Sequence, residues 1–453
     1  MISIDGKPVD EEIAAITRLS KFANPSSTRR QAAQFLTLRP VSVLPRTVSL
    51  GETLEVEVEQ AGGQTRRFTI PWIKEGFAPA KIGPVPSPRI APATAAAAGR
   101  NRQDGEEDNP REMLLRAWNR NSRWKAPAAA KFARRDFLSE RNGDEVDGWT
   151  LGWGARPPTF TLPTGFALRL GRSSADFHFS GTYLSAGKRI GYLRIPSFDP
   201  PSAAAAQREL AGEIAFFRQN TDGLVVDVQR NPGGGCHMLT AASYLIPRRF
   251  WFFGEEFRPT IGLISDFQST LDLFKDFRAE QWELDTIEFQ LGMIKTAYSE
   301  NRGMTGPIPG CSLTFDNDPA FDSTGRTIAY EKPLIVLIDE FSTSAGDIFP
   351  AMMQDNKRGP LVGTRTTGAG GSVSLFNTGF FMEASATNTN SLVTRIEPRA
   401  VPGYPTSSYI ENVGAHPDIP LERMTVENLR SNGREFVAEF TRIIVDEINK
   451  AAR

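Results

Sequence analysis

A serine among small residues is the first side chain in the sequence that suggests chemistry. The apolar run Leu334–Ile338 is typical of a strand buried on both faces, and the small residues 342–346 follow it directly. The spacing of apolar residues over 347–356 predicts a helix. Ser344 therefore stands at a helix N-terminus, where free N–H groups favour a developing negative charge. The pattern fits a nucleophile, and it also fits a helix cap without catalysis.

A glycine-rich turn is the second feature that could support catalysis. The apolar run 224–228 leads into Gly233, Gly234 and Gly235. Glycine allows positive φ and close approach of backbone to a substrate. The N–H groups of Gly233 and Gly234 could supply one half of an oxyanion hole, with the N–H of Ala345 as the other half. A phosphate-binding turn or a plain strand-to-helix connection fits the same glycines.

The two stretches together resemble one protein family. GLVVDVQRNPGGG, followed by LIVLIDEFSTSAGD and MMQDNKRGPLVGTRTTG, is similar to the S41 serine peptidases, the C-terminal processing or tail-specific proteases. The resemblance implies an α/β, ClpP/crotonase-like peptidase core, no cofactor, a protein or peptide substrate and Ser344 as the nucleophile. Asp355 stands at the family's QD position. The alternatives are an inactive S41-like scaffold that binds peptides and a carrier of small apolar ligands, which shares this fold.

One position departs from the tail-specific pattern. Ala369 stands where that branch carries a lysine base, so a Ser/Lys dyad is excluded there. The AGAGG ending of this stretch and the later IENVG phrase resemble instead the Ser-His-Glu branch, which contains the tricorn protease and the chlamydial protease/proteasome-like activity factor. By this resemblance Glu411 orients the base histidine, as a triad carboxylate does.

The base histidine has no obvious place in the sequence. In the Ser-His-Glu branch it lies upstream of the point where this sequence begins, so we expect it to precede Met1. Within the 453 residues His237, which follows the glycine turn, is the alternate base. His178 alternates with phenylalanines as a strand residue does, and His416 precedes a proline in a loop, so neither pattern indicates catalysis. Asp355 is the alternate carboxylate.

The pattern of the chain divides it into four parts. Residues 1–75 resemble the second half of a PDZ-like, β-rich domain, from the phrase IDGKPV and two alternating segments joined at 61–63; a small β-domain complete from Met1 is the alternative. Residues 76–125, rich in proline, alanine and then charge, are a linker or insertion. We assign 126–425 to the peptidase core and 426–453 to a C-terminal helix.

Composition limits the remaining function classes. The 453 residues carry a net charge of −1, which gives no general attraction to nucleic acid. There is no apolar run of the length that a transmembrane helix needs. With three histidines and two cysteines, Cys236 and Cys311, we expect neither a metal site nor a disulfide framework. The compartment is not set by the sequence, although the family suggests the bacterial periplasm or secretion, and a homodimer is left open.

Overall fold

The computed structural model describes residues 1–18, 21–38, 51–60, 62–73, 153–276, 279, 281–377 and 385–453. The predicted linker, 76–125, lies outside these residues, so the division into domains stays a prediction. Among the described residues no helix is both long and apolar enough to span a bilayer.

The elements are numbered in chain order within the described residues. The helices are α1 Val9–Ile16, α2 Pro25–Gln34, α3 Ala203–Asn220, α4 His237–Leu245, α5 Ile261–Asp276, α6 Gln281–Ser299, α7 Ala345–Asp355, α8 Val426–Ser431 and α9 Arg434–Ala451. The strands are β1 Ser3–Ile4, β2 Lys7–Pro8, β3 Thr53–Glu59, β4 Thr65–Pro71, β5 Ala167–Leu170, β6 Phe179–Ser185, β7 Lys188–Arg194, β8 Gly223–Asp227, β9 Phe250–Trp251, β10 Gly254–Phe257, β11 Ile308–Pro309, β12 Asp316–Asn317, β13 Leu334–Ile338, β14 Leu361–Gly363, β15 Val373–Asn377, β16 Ser385–Thr389, β17 Ser391–Arg399, β18 Ser407–Tyr409 and β19 Ile419–Pro420.

The N-terminal segment forms a small antiparallel sheet in the order β2-β1-β3-β4. The hairpin of β3 and β4 lies where the two alternating segments predict it. Ile4, Ile13, Leu54 and Val56 are buried between this sheet and helices α1 and α2. The segment therefore has a small apolar core of its own, while its likeness to a PDZ domain stays a prediction.

A seven-stranded sheet in the order β19-β14-β13-β8-β7-β6-β5 forms the centre of the molecule. Strands β19, β14, β13, β8 and β7 pair in parallel, as the sequence predicts, and β6 and β5 add antiparallel neighbours at one edge. In such sheets the connections after the carboxyl ends of the parallel strands meet at one edge. The turns after β8 and β13 are therefore neighbours.

Helices cover both faces of this sheet. Leu334, Val336 and Ile338 of β13 contribute to the core that includes residues of α3, α4 and α7. Ile335 and Leu337 face the opposite core, which the C-terminal helix α9 completes. This alternation explains why β13 is apolar at every position, because both of its faces are buried.

The two cysteines, from which we predicted no disulfide framework, form a single disulfide. Cys236 lies directly before α4 and Cys311 follows β11, with 5.5 Å between their Cα atoms. The sequence did not predict this bond, because the two residues are 75 positions apart and nothing local marks them as neighbours. The bond ties the start of α4, just after the glycine turn, to a distant loop.

Removing this disulfide has a predictable effect on stability. The double variant Cys236→Ser, Cys311→Ser should lower the free energy of unfolding by about 4 kcal/mol, because the unfolded chain is no longer constrained by a loop of this length. Urea denaturation of the oxidised protein and of the variant measures the difference. Equal midpoints and slopes would show that the bond does not form in solution.

Candidate active site

Ser344 occupies a strained turn at the start of α7. It has φ 58° and ψ −119°, a backbone conformation that residues other than glycine rarely adopt. Such strain, of order 1–3 kcal/mol, persists only where neighbouring groups hold the backbone in place. The turn lies between the end of β13 and the first turn of α7, so the sequence prediction of strand, turn and helix around Ser344 is correct.

Asp347 holds this turn in place. Its carboxylate accepts hydrogen bonds from the backbone N–H groups of Ser344 (2.7 Å), Gly368 (2.7 Å) and Ala369 (3.2 Å). Burial raises the pKa of Asp347 to about 6, although these hydrogen bonds act in the opposite direction. One buried carboxylate thus joins the Ser344 turn to the loop 366–371, which contains Ala369.

The glycine turn packs directly on Ser344. A β-carbon added at Gly233 would lie 2.7 Å from Cβ of Ser344 and 2.8 Å from the carbonyl oxygen of Thr343, closer than real β-carbons approach other atoms. Gly233 also has φ 95°, which favours glycine. The close approach of the two turns, which the predicted oxyanion hole requires, therefore depends on the missing side chain at position 233.

The N–H groups of the predicted oxyanion hole differ in their availability. The N–H of Gly233 donates to Oδ1 of Asn231 (2.8 Å), so the prediction that it binds an oxyanion conflicts with the structure. The reason is an Asn side chain that folds back on its own turn, as such residues often do. Within the described residues, the N–H groups of Gly234 and Ala345 donate to no hydrogen-bond acceptor. Of the three predicted donors, these two are therefore the ones whose N–H groups are not already used.

Glu411 lies in the loop after β18 and close to the same group of residues. A β-carbon at Gly370 would lie 2.9 Å from the backbone nitrogen of Glu411, so the loop 366–371 packs against it. Burial, then the charge of Asp347, raise the pKa of Glu411 to about 7, and the N–H of Gly370 lowers it. The structure thus brings Glu411 and Asp347 together around one loop.

The three histidines have other partners or none, and no hydrogen bond links them to Ser344 among the described residues. The ring centroid of His237 is 6.1 Å from those of Phe177 and His178. Burial, and then His178, lower the pKa of His237 to about 3. His178 is fully buried, with Nδ1 3.1 Å from Oε2 of Glu209. None of these side chains, nor His416, makes a hydrogen bond to Ser344 within the part of the chain that the structure describes.

Asp355, the alternate carboxylate, lies at the C-terminal end of α7. Its Oδ1 accepts from Nε of Arg395 at 3.1 Å, and both side chains are nearly buried. At 1.5 Å per residue, α7 separates Asp355 from Ser344 by roughly 16 Å. Asp355 therefore braces the helix against β17 and cannot contact the hydroxyl of Ser344.

Two residues of the site were not predicted from the sequence. Asp347 has a local signal, because a serine followed three positions later by an acidic residue at a helix start is the spacing of a capping box. Asn231 has the weaker signal of an Asn before a proline and glycines. Neither signal shows that the two side chains flank the same serine.

The site combines a buried, strained serine at a helix N-terminus with a glycine turn without side chains and with N–H groups that have no acceptor. This arrangement is found in serine hydrolases. Residues 189–421, slightly more than half of the chain, match the sequence profile described as peptidase family S41. The chain belongs to the S41 peptidase family. It is thus a member of a protease family whose substrates are proteins, and the recognition made from the sequence is confirmed.

This chain matches only part of the length of each individual relative. A protein of Chlamydia trachomatis serovar D is 27% identical over 288 residues, which are 58% of this chain and 45% of that protein. The carboxyl-terminal-processing protease of Synechocystis sp. is 25% identical over 191 residues, 42% of this chain and 30% of that protein. The chain therefore spans less than half the length of these curated relatives.

Solved structures share the fold. Mature CPAF complexed with lactacystin is 21% identical, with a TM-score of 0.63 and coverage of 99% of this chain and 78% of that chain. Mature CPAF alone gives a TM-score of 0.64, with coverage of 99% and 77%. The α/β S41 peptidase fold predicted from the sequence is confirmed by these likenesses.

Proposed function

We propose that this chain hydrolyses peptide bonds in protein substrates, with Ser344 as the nucleophile. The observation that carries the proposal is the strained Ser344 turn at the start of α7, with Gly233 packed against it. Membership in a protease family supports the same chemistry. The Oγ of Ser344 attacks the scissile carbonyl carbon, its proton passes to a base, and the amine leaves as that proton is returned. Water then hydrolyses the acyl-enzyme ester.

The negative charge of the tetrahedral intermediate needs donors that are already in place. The N–H groups of Ala345 and Gly234 donate to no acceptor within the described residues. Ala345 follows Ser344 in the chain, and Gly234 follows Gly233, which packs against Ser344. Donors fixed in this way stabilise the transition state without reorganising, and each is worth about a hundredfold or more in rate. We assign them as the oxyanion hole, and Gly233 as the residue whose missing side chain lets the glycine turn pack against Ser344.

The imidazole that takes the proton becomes positively charged, and a nearby carboxylate stabilises that charge. We assign this role to Glu411, which lies beside the loop that Asp347 ties to Ser344. The base itself is a histidine by resemblance to the Ser-His-Glu branch. His237 is a poor candidate, because a group with a pKa of about 3 accepts a proton inefficiently at neutral pH.

This assignment predicts chemical rescue of the base. Labelling of Ser344 by a fluorophosphonate should be slow in the 453-residue chain, and imidazole in solution should accelerate it at least about tenfold, since a general base contributes about 10²–10⁴ in rate. The matched control is His237→Gln, which should label at the same rate as the unmodified chain with and without imidazole. Rapid labelling without imidazole that is lost in His237→Gln would instead make His237 the base.

One observation favours a second candidate, a scaffold that binds peptides without cleaving them. No described histidine makes a hydrogen bond to Ser344, although the N–H groups of Gly234 and Ala345 have no acceptor within the described residues. A scaffold would bind an extended peptide, fail to react with the fluorophosphonate and show no response to imidazole. The labelling experiment therefore separates the two candidates.

The disulfide supports a proposal for the compartment. Disulfides persist where the surroundings are oxidising, as in the periplasm or outside the cell. The Cys236–Cys311 bond lies directly after the glycine turn, in a part of the fold that the proposed mechanism uses. We therefore place the active protein in the periplasm or among secreted proteins. Mass spectrometry of the protein taken from its native host under non-reducing conditions would find the linked peptides there, and free thiols would contradict the placement.

A further inference from the structure

Helix α2 of the N-terminal segment contacts the residues that lead into Ser344. The carbonyl oxygen of Glu340, four residues before the serine, accepts hydrogen bonds from Oγ of Ser27 and from Oγ1 of Thr367 (2.9 Å). Thr367 also contacts Thr343, with 2.7 Å between their hydroxyl oxygens. The approach to the Ser344 turn is thus held from the N-terminal segment on one side and from the loop 366–371 on the other.

A buried ion pair joins the same two parts of the molecule. Arg30 of α2 contacts the carboxylate of Glu340 through Nη1 and that of Glu422 through Nη2 (2.9 Å). The Glu340 side chain is only 2% exposed, and its second oxygen accepts from Oγ1 of Thr364 (3.0 Å). A carboxylate removed from water in this way depends on its partner, because an unpaired buried charge is strongly unfavourable. The position of Glu340 is therefore linked to that of Arg30.

Asn24 makes a third connection, at the start of the same helix. Its Oδ1 accepts from the N–H of Ser26 (2.9 Å) and so caps α2. Its Nδ2 donates to the carbonyl oxygens of Arg365 (2.8 Å) and Thr366 (3.1 Å). The next residues along that loop donate to Asp347, which holds the N–H of Ser344. A single side chain therefore fixes both the helix and the loop that supports the serine.

We propose that Asn24 and Arg30 are positioning residues for the nucleophile, so that the N-terminal segment is a supporting part of the active site. The inference rests on the proposed role of Ser344. A serine at φ 58° keeps its conformation only while its surroundings hold it. Both segments that frame the serine, 339–343 and 364–367, are bonded to α2. Losing these contacts lets the turn relax and moves Oγ out of line with the oxyanion donors.

The neighbouring arginine provides a matched control. Arg29 lies on the same helix and pairs with Asp10 of the N-terminal segment, and both side chains are largely exposed. It makes no hydrogen bond to the peptidase core among the described residues. Arg29→Ala removes the same kind of side chain and charge as Arg30→Ala, but exposed pairs of this kind contribute little. Any difference between the two variants therefore reports on the contact with Glu340.

The experiment compares four variants of the full chain with the unmodified protein: Arg30→Ala, Arg30→Lys, Asn24→Asp and Arg29→Ala. Asn24→Asp keeps the oxygen that caps α2 but loses the donor to the loop. Hydrogen exchange of the peptide covering 339–347 is measured by mass spectrometry. Fluorophosphonate labelling of Ser344, with imidazole present, gives the rate constant and the probe concentration at half-maximal rate separately.

In Arg30→Ala and Asn24→Asp we expect faster exchange over 339–347, and a labelling rate constant lowered by roughly a hundredfold, the effect of a displacement of about 1 Å. The half-maximal concentration should be unchanged, which a general loss of folding would not produce. Arg30→Lys should lie between Arg30→Ala and the unmodified protein, because it keeps the charge and loses the fork geometry. Arg29→Ala should match the unmodified protein.

The outcomes separate this inference from the proposed function. Equal exchange and equal labelling in Arg30→Ala and Arg29→Ala would overturn the role of Arg30. If the unmodified protein does not label at all, the proposed function fails, but the exchange comparison still decides whether α2 holds the turn. If Arg30→Ala does not fold, Arg30→Lys and Asn24→Asp are compared with the unmodified protein instead. Unchanged exchange over 339–347 and unchanged labelling rate constants in both variants would contradict the inference.

Discussion

With the base histidine in place, replacing Ser344 with alanine is expected to lower peptide hydrolysis by about a million-fold, since a triad nucleophile acts as a unit with its partners. The fold should be unaffected, because the N–H of Ser344, which Asp347 holds, is retained in alanine. Turnover of an unfolded protein substrate, measured with and without imidazole, gives the ratio, and circular dichroism checks the fold.

Two other serines serve as controls for this variant. Ser342 is fully buried, and its Oγ donates to the carbonyl oxygen of Val228 (2.9 Å), so Ser342→Ala should reduce stability and leave the site of reaction at Ser344. Ser299 lies at the exposed end of α6, and Ser299→Ala should change nothing. A Ser344→Ala variant that kept a tenth of the turnover would show that another group is the nucleophile.

With the base histidine in place, replacing Glu411 with glutamine should lower turnover by about 10⁴ with little change in KM, as when the carboxylate of a triad is neutralised. Glutamine has the same shape but cannot stabilise an imidazolium charge. The matched control is Asp355→Asn, which should keep turnover. Because Asp355 pairs with the nearly buried Arg395, that variant should instead lose about 3–5 kcal/mol of stability. The reverse pattern would exchange the roles of the two carboxylates.

The same carboxylate predicts opposite effects of pH on stability and on activity. Because its folded-state pKa, about 7, lies above its usual value of 4.5, the folded protein binds a proton at Glu411 that the unfolded chain releases between these two values. Its stabilising contribution is present below pH 4.5 and is lost as the pH rises through 7, by at most about 3 kcal/mol. Activity, which needs the charged form, should rise over the same range.

Denaturation and turnover at several pH values test this account together. Between pH 5 and pH 7 the free energy of unfolding should decrease less in Glu411→Gln than in the unmodified protein. The decrease that remains in the variant is due to Asp347, whose pKa is raised to about 6. Turnover that rises with pH in the unmodified protein, and stability that falls, fit the assignment. Parallel rises in both would mean that Glu411 is not held in its buried position.

The sequence predicts the frame of the site because the relevant signals are local. The fully apolar run of β13, the small residues after it and the helical spacing of α7 are each readable within ten or so residues. The glycines at 233–235 likewise indicate a turn without side chains. These signals place Ser344 at a helix start and predict that a glycine turn lies beside it.

The connections that hold the frame together were not predictable, because they join distant positions through side chains. Arg30 and Glu340 are 310 positions apart, and Cys236 and Cys311 are 75 apart. The use of the Gly233 N–H by Asn231 depends on one side-chain torsion within a turn. Composition and periodicity carry no information on such contacts, whereas the parallel pairing of strands that alternate with helices follows from general rules.

Identifying the residue that reacts with a fluorophosphonate is the most direct test of the central claim, that Ser344 is an activated nucleophile. The full chain is incubated with the probe in the presence of imidazole, digested, and its peptides are mapped by mass spectrometry. The account predicts one adduct, on Oγ of Ser344, that is absent in Ser344→Ala and retained in Ser342→Ala. An adduct on another residue, or equal labelling of Ser344→Ala, would contradict it.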